Sequence, residues 1–305
     1  MKTILNSLLV GSLLTTFAVA QQPSGLAGRR GFAYNGELRS AATSPPGRAS
    51  SLAYAITIAF EFGAIDLRTG SFLPIGPGLR PDVGDGLVQG PGRSLLSLGF
   101  SGNLDAIDPF TGLTTVVGAT GLGDCSTPTS PCGPNSANWI GLVDGHYYVT
   151  DFANNLYSLD PRTAETRLIG PTGIPALTFA PFSENPDGSV NVFGEGLFSA
   201  RGKFYAYFAT LAVNFAAGTF RPLIPGALYL IDPATGHATM VAPTESTLSA
   251  FVNVNDTIYA FNAWTGQLVT LDPTNGHTAV VTDVDPAVGV VAGAVPARPA
   301  APGLQ

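Results

Sequence analysis

Charge is what this chain has least of. Asp, Glu, Lys and Arg make up 11% of its 305 residues, against about 25% in an ordinary soluble domain. Lysine occurs only at Lys2 and Lys203, and the net charge is −7. No basic patch is available to meet a phosphate backbone, which excludes nucleic acid as a partner. Three histidines and two cysteines are too few and too scattered for zinc-type spacing, and they leave little for a Ser/His/Asp triad. A Gly-x-Ser-x-Gly elbow and a phosphate-cradling glycine loop are both missing. Beyond residue 20 no apolar run reaches the roughly 20 residues of a transmembrane helix.

Turn formers and β-formers are plentiful. There are 37 glycines and 25 prolines, and 45% of the chain is hydrophobic. Few charges, many turns and many short apolar stretches predict an all-β protein. The organising feature is a repeat. Leu156–Gly170 reads LYSLDPRTAETRLIG, and close copies begin at Leu104, Ala227 and Gln267, with a degenerate one at Phe62. Each copy is a strand with alternating apolar residues, an Asp-Pro-x-Thr-Gly turn and a second alternating strand. In the turn, Asp caps backbone N–H groups, Pro presets φ, and Gly takes the left-handed position.

The turn aspartates are Asp66, Asp108, Asp160, Asp232 and Asp272, at intervals of 42, 52, 72 and 40 residues. A unit of about 40 residues with four short strands is the signature of a β-propeller blade. The third unit predicts strands at 139–143, 146–151, 156–160 and 166–170. The fifth predicts 248–252, 258–261, 268–271 and 278–281. The first unit has its second strand at 52–60 but no inner strand before it. A leftover apolar strand near the C-terminus, 288–295, fills that place and closes the ring. Five four-stranded blades over residues 51–296 result. Six are the alternative, if the 72-residue interval hides another.

The repeat, in the form LYxIDPxTGxxTxVG, resembles those of secreted bacterial and fungal propellers, akin to quinoprotein-like and lactonase-like ones. The resemblance covers Leu52 to Val295 and implies fold, with no functional residues to carry over. No motif identifies a cofactor; a calcium ion in the central channel, held by Glu195, Asn138 and backbone carbonyls, suits a hard cation and would resemble what lactonase-type propellers use.

Residues 1–20 read as a secretory signal: Lys2, an apolar stretch from Ile4 to Val19, and the small-residue site Ala18-Val19-Ala20. Cleavage there is expected to leave a soluble, secreted and extracellular protein, and a monomer is expected. An extended segment follows at 21–50, and a short tail at 297–305. In an oxidising compartment Cys125 and Cys132 are expected to form one local disulfide. Asn255-Asp256-Thr257 is a glycosylation acceptor on the face of short turns.

Function is expected on the opposite face, over the third and fourth blades, where the long connections cluster: 121–138, 171–188 and 209–226. Candidate ligand-binding residues there are Asn138, Trp139, Asn154, Asn155 and Asn191. Glu195, Asp151 and Glu245 are the candidate catalytic carboxylates. Two readings stand. One is a module binding a carbohydrate or an extracellular protein, with an aromatic ring and amides meeting a sugar. The other is a hydrolase, lactonase or lyase using carboxylates near the channel mouth, whose separation would set the chemistry.

Overall fold

The computed structural model describes residues 51–57, 59–80, 83–123, 133–176, 184–214, 216–285 and 291–296. The expected signal, the N-terminal segment, the Cys125–Cys132 disulfide and the C-terminal tail lie outside the described residues.

Alternating apolar residues and closely spaced turns give twenty short strands. The first blade holds β1 (Leu52–Thr57), β2 (Phe62–Asp66) and β3 (Phe72–Pro74). The second holds β4 (Val83–Gln89), β5 (Leu95–Gly99), β6 (Asn103–Ile107) and β7 (Thr114–Ala119). Then come β8 (Ala137–Val143), β9 (His146–Asp151), β10 (Asn155–Leu159) and β11 (Thr166–Pro171). The fourth blade holds β12 (Val190–Ala200), β13 (Lys203–Asn214), β14 (Thr219–Ile231) and β15 (Ala238–Pro243). The fifth holds β16 (Leu248–Val254), β17 (Thr257–Asn262), β18 (Gln267–Leu271) and β19 (Thr278–Asp283), and β20 (Val291–Pro296) ends the series. All pairings within these sheets are antiparallel, and the described residues contain no helix long and apolar enough to cross a membrane.

The last strand closes the ring. β20 pairs with β1, Ala53 opposite Pro296 and Ile56 opposite Gly293, so the first sheet has the order β20-β1-β2-β3. Inner strands β4, β8, β12, β16 and β20 each contact the next around a central channel. The protein is a five-bladed β-propeller. Strand limits in the third and fifth blades fall within two residues of the sequence reading. In the first blade, β1 stops at Thr57, short of the expected 60. There the chain turns through Phe60 at a left-handed φ of 61°, with Phe60 N–H donating to Thr57 O at 2.9 Å.

The fourth blade accounts for the long interval. Of residues 209–226, expected as a loop, 209–214 and 219–226 are continuations of β13 and β14: Leu211 pairs with Pro222 and Val213 with Phe220. β12 adds a third strand to this extension, Val190 opposite Val213. Two prolines made the stretch look like loop. They are tolerated because β15 first meets β14 at Ala227; before that point β14 is an edge, where a missing N–H costs no ladder bond.

Blade packing follows from burial on both faces of each sheet. Five apolar clusters fill the five gaps between neighbouring blades. Ile56, Phe62, Leu95 and Ile107 fill the gap between the first two blades. Trp139, Leu156, Leu197 and Phe204 fill that between the third and fourth. From the second blade to the fifth, a register shift between third and outer strands recurs at equivalent places, Leu104/Asp105, Leu156/Tyr157, Leu228/Tyr229 and Leu268/Val269. Such bulges increase local twist.

The five aspartate turns, four of them Asp-Pro and the first Asp66-Leu67, serve this packing. In each one the aspartate Oδ1 accepts the N–H two residues on, at 2.8 Å for Asp66, Asp108 and Asp160, 3.0 Å for Asp232 and 2.9 Å for Asp272. The residue four places on has φ of 69° at Gly70 and Gly112, 82° at Gly236 and 75° at Gly276. A Cβ on Gly276 would lie 2.1 Å from Pro243 O in the preceding blade, and one on Gly70 would lie 2.1 Å from Asp283 O. Each turn is thus seated on the end of the previous outer strand. The third blade is the exception, with Ala164 at φ 66°; there Gly118 on the facing strand makes the room.

Gly276→Ala should lower unfolding stability by ~2 kcal/mol or more, since it adds a left-handed penalty to a backbone clash. Ala164→Gly should be nearly neutral in the same urea titration, because relief of φ of about 1 kcal/mol offsets a lost buried methyl. The carboxyls of Asp232 and Asp272 are held below the usual range, first by the backbone N–H groups of Ala234 and Thr274 and then by threonine hydroxyls. A depressed folded pKa gives stability that is present above the unfolded value, about 3.9, and lost as pH falls through the folded value. The Asp232→Asn/Asp272→Asn double variant should therefore lose less of its urea midpoint than the parent between pH 5 and pH 3.

Candidate functional site

Strand direction defines two ends of the channel. The inner strands begin at the face of long connections and end at the face of short turns. At the first end, β8 and β12 bring Asn138 and Glu195 together: the Asn138 Nδ2–H donates to Glu195 Oε2, and both residues are buried. Asn138 Oδ1 has no hydrogen-bond partner. Trp139, next on β8, is buried in the apolar cluster between the third and fourth blades. It faces the waist of the channel beside Gly86, and its Nε1 also has no partner.

The other sequence candidates are bound into local networks. Asp151 is fully buried. It accepts Asn155 N at 2.8 Å, Asn155 Nδ2 at 2.9 Å and the Tyr157 hydroxyl at 2.9 Å. Burial first, and then this bond, push the Tyr157 phenol up to about 12. Asn154 sits at φ 59° and donates to Pro175 O at 2.9 Å. Asn191 and Asn185 exchange amide hydrogen bonds of 2.8 and 3.3 Å. Glu245 is exposed, accepting from Asn262 Nδ2 at 2.7 Å and from the Thr278 hydroxyl. Each of the three carboxylates is thus engaged by a different set of neighbours.

Calcium would need about six to eight oxygen ligands. Glu195 and Asn138 supply one carboxylate and one amide oxygen. Among the described residues, no group of three His, Cys, Asp or Glu could hold a metal ion. These two side chains alone fall short of a calcium site.

The structure adds a feature that the sequence reading missed. Phe220, near the tip of the fourth blade's extension, and Trp264, in the β17–β18 turn, meet edge to face. Their centroids are 4.8 Å apart at 62°. Both are exposed, at 36% and 40%. Trp264 is held by Asn262, whose Oδ1 accepts from the Trp264 and Thr265 backbone, both at 3.0 Å, and from the Thr247 hydroxyl at 2.9 Å. Asn262 in turn reaches Glu245, so one carboxylate of the sequence list lies beside this pair. Trp264 could have been singled out as a tryptophan placed in a turn. Phe220 could not, while its strand was read as loop.

The acceptor Asn255 lies exposed in the β16–β17 turn, at φ 51°. It was expected to stand clear of ligands. In the structure it borders a cavity of about 370 Å³ at the short-turn end of the channel.

No family model matches this chain, and no curated protein sequence does. Solved β-propeller structures are similar at low identity. The nidogen/laminin complex matches at 13% identity over 80% of this chain and 97% of that one, TM-score 0.43. Virginiamycin B lyase from Staphylococcus aureus matches at 12% over 74% and 68%, TM-score 0.37. The PQQ-bound aldose sugar dehydrogenase from Streptomyces coelicolor matches at 13% over 73% and 86%, TM-score 0.39. Likeness at this level says nothing about ligand or reaction.

Removing Asp151 tests the role its contacts give it. Asp151→Ala should cost about 3 kcal/mol in urea unfolding, since it orphans buried donors. Asp151→Asn should cost less, because an amide oxygen can still accept the Asn155 N–H. In either variant, spectrophotometric titration should find the Tyr157 phenol lower than about 12.

Proposed function

We propose that this protein is a secreted carbohydrate-binding propeller, and that the exposed Phe220–Trp264 pair is its contact surface. The single observation behind this reading is that pair: two large rings held at 4.8 Å, in the open, on the long-connection face between the fourth and fifth blades. Rings left exposed forgo the burial that would stabilise them. An exposed aromatic face with polar groups at its edge suits the alternating C–H and hydroxyl surfaces of a sugar. Here the edge group is the exposed Glu245, held by the buried Asn262 beneath Trp264. Rigidity supports the same reading. The turn under Trp264 is clamped by three hydrogen bonds to Asn262, and Phe220 stands on a three-stranded extension.

The hydrolase reading has less support. Its carboxylates are tied to separate structural partners, whereas an acid–base pair needs two carboxyls facing one bond about 5–10 Å apart. A glycan array probed with the full chain tests the proposal. Binding should weaken about tenfold in Trp264→Ala, a loss of the size of one aromatic contact, and less in Phe220→Ala. Hits that survive both substitutions, or an array without hits, would refute the proposed surface. Cleavage of the bound glycans would favour the hydrolase.

A further inference from the structure

The cavity at the short-turn end of the channel includes none of the candidate carboxylates and neither ring of the Phe220–Trp264 pair. Its volume of about 370 Å³ lies within the range of small-molecule sites, about 300–1,000 Å³. It is blind. Leu87, Leu197 and Phe251 line both this cavity and the waist beneath it, where only about 10 Å³ of space is left. The floor is stiff as well: Phe251 stacks on Phe198 at 4.9 Å and 13°, and packs against Tyr207 at 5.0 Å. Gly196 brings backbone so close that a Cβ there would lie 2.4 Å from the Phe251 ring.

Polarity is confined to the rim. Asn253, Asn255 and Asp256 come from the end of β16 and its turn, with Ser199 on the neighbouring β12. Asn253 is fixed by donating to Ser199 O at 2.8 Å, and its Oδ1 has no hydrogen-bond partner. Asp256 is the only ionisable residue among the described ones that line the cavity. An apolar floor with a rim of amides, Gln89 among them, and one negative charge defines a complementary molecule. It has a compact apolar body and a protonated amine at one end.

We propose that this blind mouth is a second ligand site, distinct from the Phe220–Trp264 surface, which takes small aromatic or aliphatic amines. The body sits over Leu197 and Phe251, and the ammonium group lies at Asp256. The acidic balance of the chain favours the approach of such cations.

Tryptamine is the probe, and tryptophol, with a hydroxyl in place of the amine, is its neutral control. Both are titrated into the ¹⁵N-labelled full chain and followed by the backbone amide signals of Ser199, Asn253 and Asn255. Tryptamine should shift these signals saturably and bind about fivefold tighter than tryptophol, the advantage of one rim charge pair. Asp256→Asn keeps a residue that tolerates the left-handed φ of 62° at this position, and it should erase that advantage. Ser199→Trp fills the mouth and should weaken both probes at least about tenfold. Trp264→Ala should leave tryptamine binding unchanged, which separates this site from the carbohydrate surface. Absence of saturation in the parent protein, equal affinity for the two probes, or undiminished binding in Ser199→Trp would each overturn the proposal.

Discussion

The contact on which this ring depends is a close approach of backbone to backbone. At the rim, the Asp-Pro turn of one blade presses against the end of the preceding blade's outer strand, at distances that leave no room for a side chain. Gly276 against Pro243, Gly236 against Gly170, Gly112 against Ile75 and Gly70 against Asp283 are the same joint repeated. Polar bonds accompany it: the Thr244 hydroxyl donates to Gly276 O at 2.7 Å, and the Thr166 hydroxyl to Thr120 O at 2.8 Å. Apolar clusters supply most of the burial between blades, but apolar contacts alone would tolerate some sliding. A glycine against a carbonyl does not, because moving the joint inward meets hard-core repulsion. The joint fixes the angle between sheets, and through it the width of the channel.

How much of this was legible follows from what each residue answers to. The Asp-Pro-x-Thr-Gly turns, the strands beside them and the closing strand answer to local rules of turn chemistry and period-two alternation, so the sequence displays them. The fourth blade's extension answers to a tertiary fact. Pro222 can stand in β14 only because no outer strand is beside it there, and nothing local to Pro222 says so. Phe220 was hidden for the same reason. The buried carboxylates were read in the opposite direction: Asp151 and Glu195 looked chemically available because their types are reactive. Asp151 is instead surrounded by an amide, a backbone N–H and a phenol from within six residues.

The two ends of the channel are built on different terms. At the long-connection end, Asn138 and Glu195 meet in a buried polar contact. Beneath it Trp139 and Ile140 narrow the passage, and beyond that Leu197 and Phe251 form an apolar floor that opens onto an amide-lined rim. The space left at that level is about 10 Å³. The two faces are different surfaces on one scaffold, and the short-turn face holds the cavity of about 370 Å³. The long-connection face offers relief, in the extended strands of the fourth blade and the rings beside them.

Closure by β20 has a consequence for the order in which the molecule is made. Tyr54 pairs with Val295, so the first sheet to be synthesised is the last to be completed. Four blades can assemble behind the ribosome from contacts within some 40 to 70 residues, while the first waits with the edge of β1 uncovered. Joining contacts so distant in sequence is the slow step of folding. Until it happens, that edge is open to pairing with any extended segment, including one from another chain. The final strand ends this exposure, and a nascent chain halted before it would hold nearly all of its sheets and still be the form most prone to aggregate.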